Sequence, residues 1–174
     1  MDGGVNLKYY LHGVLIGMEE HIFEGREELK RVEHIIYVSL KYTRTTDVVN
    51  NALVRLISFY DFMVEGYLID ALEKELIIRI AKSPALRAKD LGKLYSKDAK
   101  FQQHLGFYFF MRELLKRDDF ARINEYRRHV GKVYNNLDNT VIINIDTLEA
   151  MEWYAHQFFQ YSLVLLGLNK EEEY

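Results

Sequence analysis

The sequence contains no cysteine and a single proline, and these two absences narrow the structures and functions that are open to it. Without cysteine there are no disulfides, no thiolate nucleophiles and no cysteine-ligated zinc sites. Because only Pro84 interrupts it, almost the whole chain of 174 residues is free to be helical. We therefore expect an all-α fold in one domain over residues 1–174, with residues 1–5 and 169–174 as frayed ends.

The sequence also lacks a glycine-rich phosphate loop, a nucleophilic-serine elbow and any long apolar run. Gly3 and Gly4 precede no predicted strand, so neither a P-loop nor a dinucleotide-binding fold is expected. Apolar runs such as Ser162–Leu168 are far shorter than the ~20 residues that a membrane-spanning helix needs. No basic leader followed by an apolar stretch is visible. These absences indicate a cytoplasmic protein with no cofactor and no membrane partner.

Apolar residues recur at helical spacing along most of the chain, which predicts an antiparallel helical bundle with long helices. The clearest boundary is Ser83 followed by Pro84, which is typical of a helix start. In chain order the predicted elements are a helix from Asn6 to about Tyr42 that is either continuous or broken near Gly25, a helix from Thr46 or Asp47 to Ile78, a short helix from Pro84 to about Leu91, a helix begun near Ser96 that ends at Arg117, a helix capped by Asp118 or Asp119 and stopped at Asn135, an extended connector at Thr140–Ile145, and a closing helix from Asp146 to Gly167.

The formal net charge of −3 conceals a cationic middle segment. Residues 79–117 carry 10 basic and 3 acidic side chains, whereas residues 1–78 carry 8 and 13 and residues 118–174 carry 5 and 10. Such a segment suits a polyanion, and it suits equally well the acidic remainder of the same fold or of a second subunit. Both interpretations stay open from the sequence.

The densest polar chemistry lies in residues 123–134, which read Ile-Asn-Glu-Tyr-Arg-Arg-His-Val-Gly-Lys-Val-Tyr. On a helix, Arg127 and Tyr134 would share one stripe, and Arg128 and Lys132 would share the next. Two interpretations follow from this spacing. The arginines either extend their stems over the core with their charges in solvent, or they form an anion-binding surface.

Residues 126–134, Tyr-Arg-Arg-His-Val-Gly-Lys-Val-Tyr, resemble an element of the HEPN superfamily, the nucleotide-binding helical domains of higher eukaryotes and prokaryotes. That element is Arg-polar-x3-His, often followed two residues later by tyrosine. Arg127 matches the family arginine, Arg128 its polar neighbour and Tyr134 the trailing tyrosine. The family histidine, however, is replaced by Lys132. The resemblance extends as a pattern of helices over about residues 48–168.

The resemblance implies a HEPN-like protein of toxin or RNA-processing type that binds RNA or nucleotide phosphate in a cleft lined by the motif helix. In ribonuclease members the arginine holds the scissile phosphate and the histidine helps to activate the 2′-hydroxyl. A lysine is a poor base unless it is desolvated, so we expect a catalytically weak or inactive, metal-independent site. It also implies an antitoxin-like protein partner. The expected catalytic residues are Arg127, His129, Lys132 and Tyr134, and the expected nucleic-acid contacts are Arg127, Arg128, Lys93 and Arg112.

The competing function is a non-enzymatic homodimeric interaction module in which the same polar motif is structural. The chain has 13 tyrosines, 10 phenylalanines and one tryptophan. On the predicted helix that ends at Arg117, the aromatic residues are too many for a single core stripe: Phe101, Phe107, Tyr108, Phe109 and Phe110. Exposed tyrosines beside cations, such as Tyr126, would suit stacking on single-stranded RNA. An apolar patch at Phe107–Phe110 or Trp153–Phe159 would suit a homodimer, which we favour.

Two glutamate and histidine pairs have the i, i+4 spacing that places two metal ligands on one helical face. They are Glu125 with His129 and Glu152 with His156. Di-iron helical bundles use a Glu-x2-His spacing instead, which this sequence lacks. We therefore expect no metal site.

Overall fold

Residues 9–11, 14–136 and 138–169 are described by the structure, a computed structural model. The fold is mainly helical, which confirms the expected class at that level, but it also contains a small antiparallel sheet. The elements in chain order are β1 (Tyr9–Leu11), β2 (Val14–Ile16), α1 (Met18–His34), a π-helical segment (Ile35–Ser39), the helical turn α2 (Leu40–Tyr42), α3 (Thr46–Glu73), α4 (Pro84–Leu94), α5 (Ala99–Lys116), β3 (Ala121–Ile123), β4 (Gly131–Asn135), β5 (Thr140–Ile143) and α6 (Ile145–Leu165).

Helices α1 and α3 form the predicted hairpin of long helices, and glycines bring them close together. A Cβ atom on Gly66 would lie 2.7 Å from Cδ1 of Ile22, and one on Gly25 would lie 3.1 Å from Sδ of Met63. These pairings run in opposite directions along the two helices, so α1 and α3 are antiparallel. Gly25 therefore does not break α1, because it serves the helix contact instead.

The two helices that follow begin at polar residues close to the predicted ones. The side chain of Thr45, rather than that of the predicted Thr46 or Asp47, accepts the capping hydrogen bond of α3. This helix ends at Glu73, so its predicted extension to Ile78 was wrong. Pro84 opens α4 as predicted, although the Ser83 side chain makes no capping hydrogen bond.

The caps of α5 and α6 differ from the predicted ones by a few residues. Asp98, not Ser96, caps α5 by accepting a hydrogen bond of 3.1 Å from the backbone N–H of Phe101. Asn144 caps α6, and its side chain accepts from the backbone N–H of Thr147 at 3.1 Å. The backbone N–H of Asn144 donates in turn to the Thr147 hydroxyl at 2.8 Å. Helix α6 therefore starts one residue earlier than Asp146.

Aromatic rings from α3, α5 and α6 fill the centre of the core. The Tyr67 and Phe101 ring centroids lie 4.8 Å apart, and the Tyr60 ring stacks on Phe158 at 5.5 Å. All four of these rings are buried. Among the described helices, none combines the length and the apolar character that crossing a membrane requires.

The predicted motif helix is wrong, because residues 121–135 form a β-hairpin instead. Ala121 pairs with Val133, and Val133 pairs on its other side with Ile142, which gives the antiparallel order β3-β4-β5. The segment at Thr140–Ile145, expected to be an extended connector without a partner, supplies strand β5. Pairing between distant segments has overridden the local helical spacing, as β-branched residues permit. Neither Asp118 nor Asp119 caps a helix.

Gly131 shows why the strand conformation fits this segment. A Cβ atom at this position would lie 2.6 Å from the backbone oxygen of Ile143, which is closer than real Cβ contacts. Glycine costs about 0.5–1 kcal/mol relative to alanine in the interior of a helix or of a strand, so this cost does not decide between the two. The close approach of β4 to β5 does favour the strand, because it needs a residue without a side chain at this position.

The N-terminal part of the chain departs from its prediction as well. Tyr9 pairs with Ile16 and Leu11 with Val14 in a short antiparallel ladder, so the first helix starts at Met18. The predicted cap Asn6 lies outside the described residues.

Candidate functional site

The β3–β4 turn, residues 124–130, carries most of the sequence motif and is held by a dense set of backbone contacts. The backbone N–H of Tyr126 donates to the Arg44 carbonyl at 2.6 Å, and that of Val130 donates to the Arg127 carbonyl at 3.1 Å. Asn124 and Tyr126 have φ angles of 52° and 67°. A bulky residue such as tyrosine rarely occupies this left-handed region, and strained backbone of this kind clusters at ligand-binding and switch regions.

The side chain of Glu125 ties the turn to the first residue of α3. Its Oε1 accepts a hydrogen bond of 2.6 Å from the Thr46 hydroxyl and one of 3.3 Å from the Thr46 backbone N–H. Arg122 donates to the same hydroxyl and lies 3.4 Å from Glu125. The Thr46 hydrogen bond is the main cause that lowers the pKa of Glu125, with Arg122 adding to it. The carboxylate is therefore a charged anchor at the N-terminus of a helix, where negative charge is stabilised.

Beyond this anchor, the side chains of the turn are displayed to solvent. Tyr126 is 79% exposed, and Arg127, Arg128 and His129 are also exposed. His129 Nδ1 lies 3.7 Å from Oδ2 of Asp146. Within the described part of the chain, neither Arg127 nor Arg128 has a side-chain hydrogen bond or ion pair. The turn thus presents two guanidinium groups, an imidazole and a phenol on a fixed backbone.

Lys132 and Tyr134 occupy alternate positions of β4, and their side chains point into the protein interior. Lys132 is 3% exposed, and its Nζ donates to Oδ1 of Asn50 at 2.8 Å while lying 4.0 Å from the Phe120 ring centroid. Burial lowers the pKa of Lys132, and the nearby charge of Arg122 lowers it further. The lysine is thus the desolvated kind whose basicity is reduced.

Tyr134 is fully buried, and its hydroxyl has no hydrogen-bond partner among the described residues. Its ring packs against Phe120 with a centroid separation of 5.7 Å, and the Arg117 guanidinium lies 5.4 Å from its centroid. Burial raises the pKa of the phenol. Neither ionisation nor modification of this hydroxyl is accessible from solvent in this conformation.

The structure therefore divides the four residues expected to be catalytic. Arg127 and His129 lie in the exposed turn, whereas Lys132 and Tyr134 lie on the buried face of β4. A cleft of about 260 Å³ borders Lys132 and is lined in addition by Asn50, Asp118, Phe120 and others. The motif supplies only Lys132 to its lining. The cleft lined by a motif helix, as expected from the resemblance, has no such helix to line it.

The other two expected nucleic-acid contacts lie on separate helices. Lys93 is exposed on α4, beside a second cleft of about 260 Å³ that also contacts Arg79. Arg112 on α5 donates to the Tyr108 hydroxyl at 3.2 Å and lies over that ring. Neither Lys93 nor Arg112 shares a hydrogen bond or ion pair with the turn, as far as the described residues extend.

The cationic segment 79–117 is paired only in part with acidic side chains of the same chain. Arg87 forms an ion pair with Glu65, and Arg117 forms one with Asp119, so part of the charge is balanced by the chain's own carboxylates. A second set of exposed cations has no such pair in the described chain: Arg79, Lys82, Lys89, Lys93 and Lys97.

Two groups of polar residues were missed from the sequence. Arg122 and Asn50 support the motif from β3 and α3, and no local signal connects them to it. Elsewhere, the predicted pair of Glu152 and His156 on α6 is joined by Glu33 of α1, so that donor atoms of all three lie within 4.8 Å of one another. Only the Glu-x3-His spacing hinted at this group, because the third member comes from a distant helix.

Comparison of the chain with protein-family models, with curated proteins and with solved structures finds no match in any of the three.

Proposed function

We propose that this chain is an RNA-binding protein that binds single-stranded RNA through the β3–β4 turn and does not cleave it. The main support for this proposal is the fixed, exposed turn, whose two guanidinium groups have no carboxylate partner in the described chain. Guanidinium groups bind phosphate oxygens in pairs of parallel hydrogen bonds, so Arg127 and Arg128 would act as phosphate clamps. Because both are already extended into solvent, binding breaks no internal ion pair.

Tyr126 adds a base-binding element to this phosphate clamp. It is 79% exposed, it precedes Arg127 directly, and its backbone is anchored to Arg44. Stacking of an RNA base on an exposed aromatic ring contributes about 1–3 kcal/mol and tolerates any base. A turn that offers phosphate and stacking contacts together favours single-stranded RNA over duplexes, whose bases are already stacked.

The division of the motif argues against catalysis. General acid-base chemistry requires its groups within hydrogen-bond reach of the reacting atoms. Lys132 is instead committed to Asn50 inside the protein, and Tyr134 is fully buried. Membership of the HEPN superfamily therefore stays a prediction. A mainly helical fold supports it, but the strand conformation of residues 131–135 argues against carrying over the family's catalytic roles.

The test is binding of fluorescent single-stranded oligouridine RNA, followed by anisotropy at several salt concentrations. Arg127→Ala and Arg128→Ala should each weaken binding by roughly 1.5 kcal/mol, the low end for hydrogen bonds to charged groups, because both sites are exposed. Each should also reduce the salt slope by about 0.7, the value per phosphate contact for single strands. Arg26→Ala removes an exposed arginine from α1 and serves as the matched control.

Equal losses in Arg26→Ala and Arg127→Ala would mean that binding reflects overall charge, and would refute the turn as the site. A duplex of the same length should bind more weakly than the single strand. If it binds as well, stacking on Tyr126 is not part of recognition.

The homodimeric interaction module is the second candidate, and Trp153 supports it. Its indole is 63% exposed on α6, in the region expected to form the interface. The other expected patch is only partly exposed, because Phe107 packs edge-on against Tyr60 and Tyr108 is buried, whereas Phe110 is 42% exposed. Sedimentation at micromolar concentration should then show a dimer that Trp153→Lys dissociates without unfolding. A wild-type monomer would remove this candidate.

A further inference from the structure

A cluster of three metal-ligand side chains lies between α1 and α6, outside the turn. The Nε2 atom of His156 lies 2.7 Å from Oε1 of Glu33 and 2.7 Å from Oε1 of Glu152. Glu152 is 8% exposed, while the other two are partly exposed. One imidazole nitrogen therefore faces two carboxylates at a site that solvent can reach.

The charges of the cluster leave an excess of negative charge. Burial is the main cause that raises the pKa of Glu152, and Glu33 raises it further while His156 opposes the effect. Burial is the main cause that raises the pKa of Tyr37, and the carboxylates of Glu152, Glu149 and Glu33 raise it further. The phenol therefore feels the charges of the cluster. Because the Glu33 carboxylate raises the pKa of Glu152, the two carboxylates repel each other, and a divalent cation between them would relieve that repulsion.

The backbone next to Glu33 is also unusual. Two residues further on, α1 widens into the π-helical segment Ile35–Ser39, in which the backbone N–H of Leu40 donates to the Ile35 carbonyl. No proline lies there to force the change. Short π-helical turns inside α-helices are rare and occur frequently at functional sites. This one carries Tyr37 into the neighbourhood of the cluster.

We propose that Glu33, Glu152 and His156 bind one divalent transition-metal ion, with Zn²⁺ as the best-matched candidate. Imidazole nitrogen and carboxylate oxygen, without thiolate, are ligands that Zn²⁺ accepts at about 2.0–2.2 Å. A tetrahedral ion with such bonds holds its donors about 3.3 Å apart, so the present contacts must open by roughly 0.6 Å. The glutamate side chains have the rotatable bonds for this adjustment.

Three protein ligands leave a fourth position for water. That arrangement is typical of zinc sites that act on a substrate, whereas structural zinc sites have four protein ligands. The site is independent of RNA binding by the turn, because it shares no residue with it.

The test is isothermal titration of chelator-treated protein with ZnCl₂, with MnCl₂ as a second metal. Wild-type protein should bind one Zn²⁺ per chain, and Zn²⁺ should raise its melting temperature. His156→Gln and Glu33→Gln should each weaken binding by about tenfold or more, at least the loss seen when supporting residues around metal ligands are removed. Both changed residues are partly exposed, so the variants should stay folded.

His129→Gln is the matched control, because His129 also lies beside a carboxylate, that of Asp146, but has no third donor within the described chain. Its Zn²⁺ affinity should equal that of the wild type. The proposal is overturned if wild-type protein takes up no Zn²⁺, or if His156→Gln binds it as tightly as His129→Gln does. In either case the cluster is an ion-paired contact between α1 and α6.

Discussion

Protonation of one buried histidine should make the stability of this protein fall steeply in mild acid. His104 on α5 is almost fully buried, and its ring stacks on Tyr154 at 4.0 Å and on Phe158 at 4.6 Å. Its Nδ1 lies 2.8 Å from the Tyr60 hydroxyl. A neutral ring can accept the hydroxyl proton at this nitrogen, whereas an imidazolium cannot. Burial, with a smaller effect of Lys100, lowers the pKa of His104 to about 4.

The sign and size of the effect follow from proton linkage. Between pH 4 and 6.5 the unfolded chain binds a proton at His104 that the folded chain does not, so stability is fully present above pH 6.5 and falls toward pH 4. Each pH unit of that difference is worth about 1.36 kcal/mol, so the loss between pH 7.5 and pH 4.5 amounts to about 2.5 kcal/mol. That is a large part of the ~5–15 kcal/mol that stabilises a typical domain.

The assay is urea unfolding of wild type and His104→Gln at pH 4.5, 5.5, 6.5 and 7.5, a range chosen around the two pKa values. Glutamine keeps a partner for Tyr60 but does not titrate. The pKa of Asp61 is raised mainly by burial, which acts with the opposite sign, but it is present in both proteins and cancels in the comparison. Wild type should lose more stability than the variant by about 2.5 kcal/mol. Parallel pH profiles would refute the reasoning.

Two further predictions concern strand β4. Gly131→Ala should destabilise the fold by about 2 kcal/mol in urea unfolding, because the added methyl group meets the Ile143 carbonyl. Gly106→Ala is the control, because its methyl group meets nothing within 4 Å, and it should stabilise the fold by up to ~1 kcal/mol. Equal effects of the two substitutions would contradict the close approach of β4 to β5. Lys132→His should not produce cleavage of oligouridine RNA, since the site is buried against Asn50. Appearance of cleavage would show that the motif assembles in solution.

Where a strong local signal existed, the sequence predicted the elements well. Proline is tolerated in a helix only in the first turn, and Pro84 opens α4 there. The long apolar spacing of α3 likewise survives, because packing against α1 agrees with local preference. The errors at Ser96 and Asp146 are shifts between neighbouring polar residues, each of which is a reasonable cap in isolation. Only the fold decides among them.

The sheet could not be predicted in the same way, because its stability is not local. Residues 121–123 and 140–143 both pair with β4, and neither segment indicates the other by any periodic pattern. Both segments are too short for an alternation of apolar and polar residues to be recognised. The contribution of Glu33 to the metal-ligand cluster was hidden for the same reason, since its partner His156 lies 123 residues further along the chain.

The sheet also determines which part of the motif is available for function. Side chains alternate between the two faces of a strand, so Lys132 and Tyr134 share one face whatever that face contacts. A shift in pairing by one residue would turn both outward, but Gly131 opposes it, because a residue with a Cβ atom in its place would meet the Ile143 carbonyl. The close approach of Gly131 to β5 thus favours the register in which Lys132 and Tyr134 are buried. The exposed charges of the motif are those that precede the strand, Arg127 and Arg128, and on these the proposed RNA binding depends.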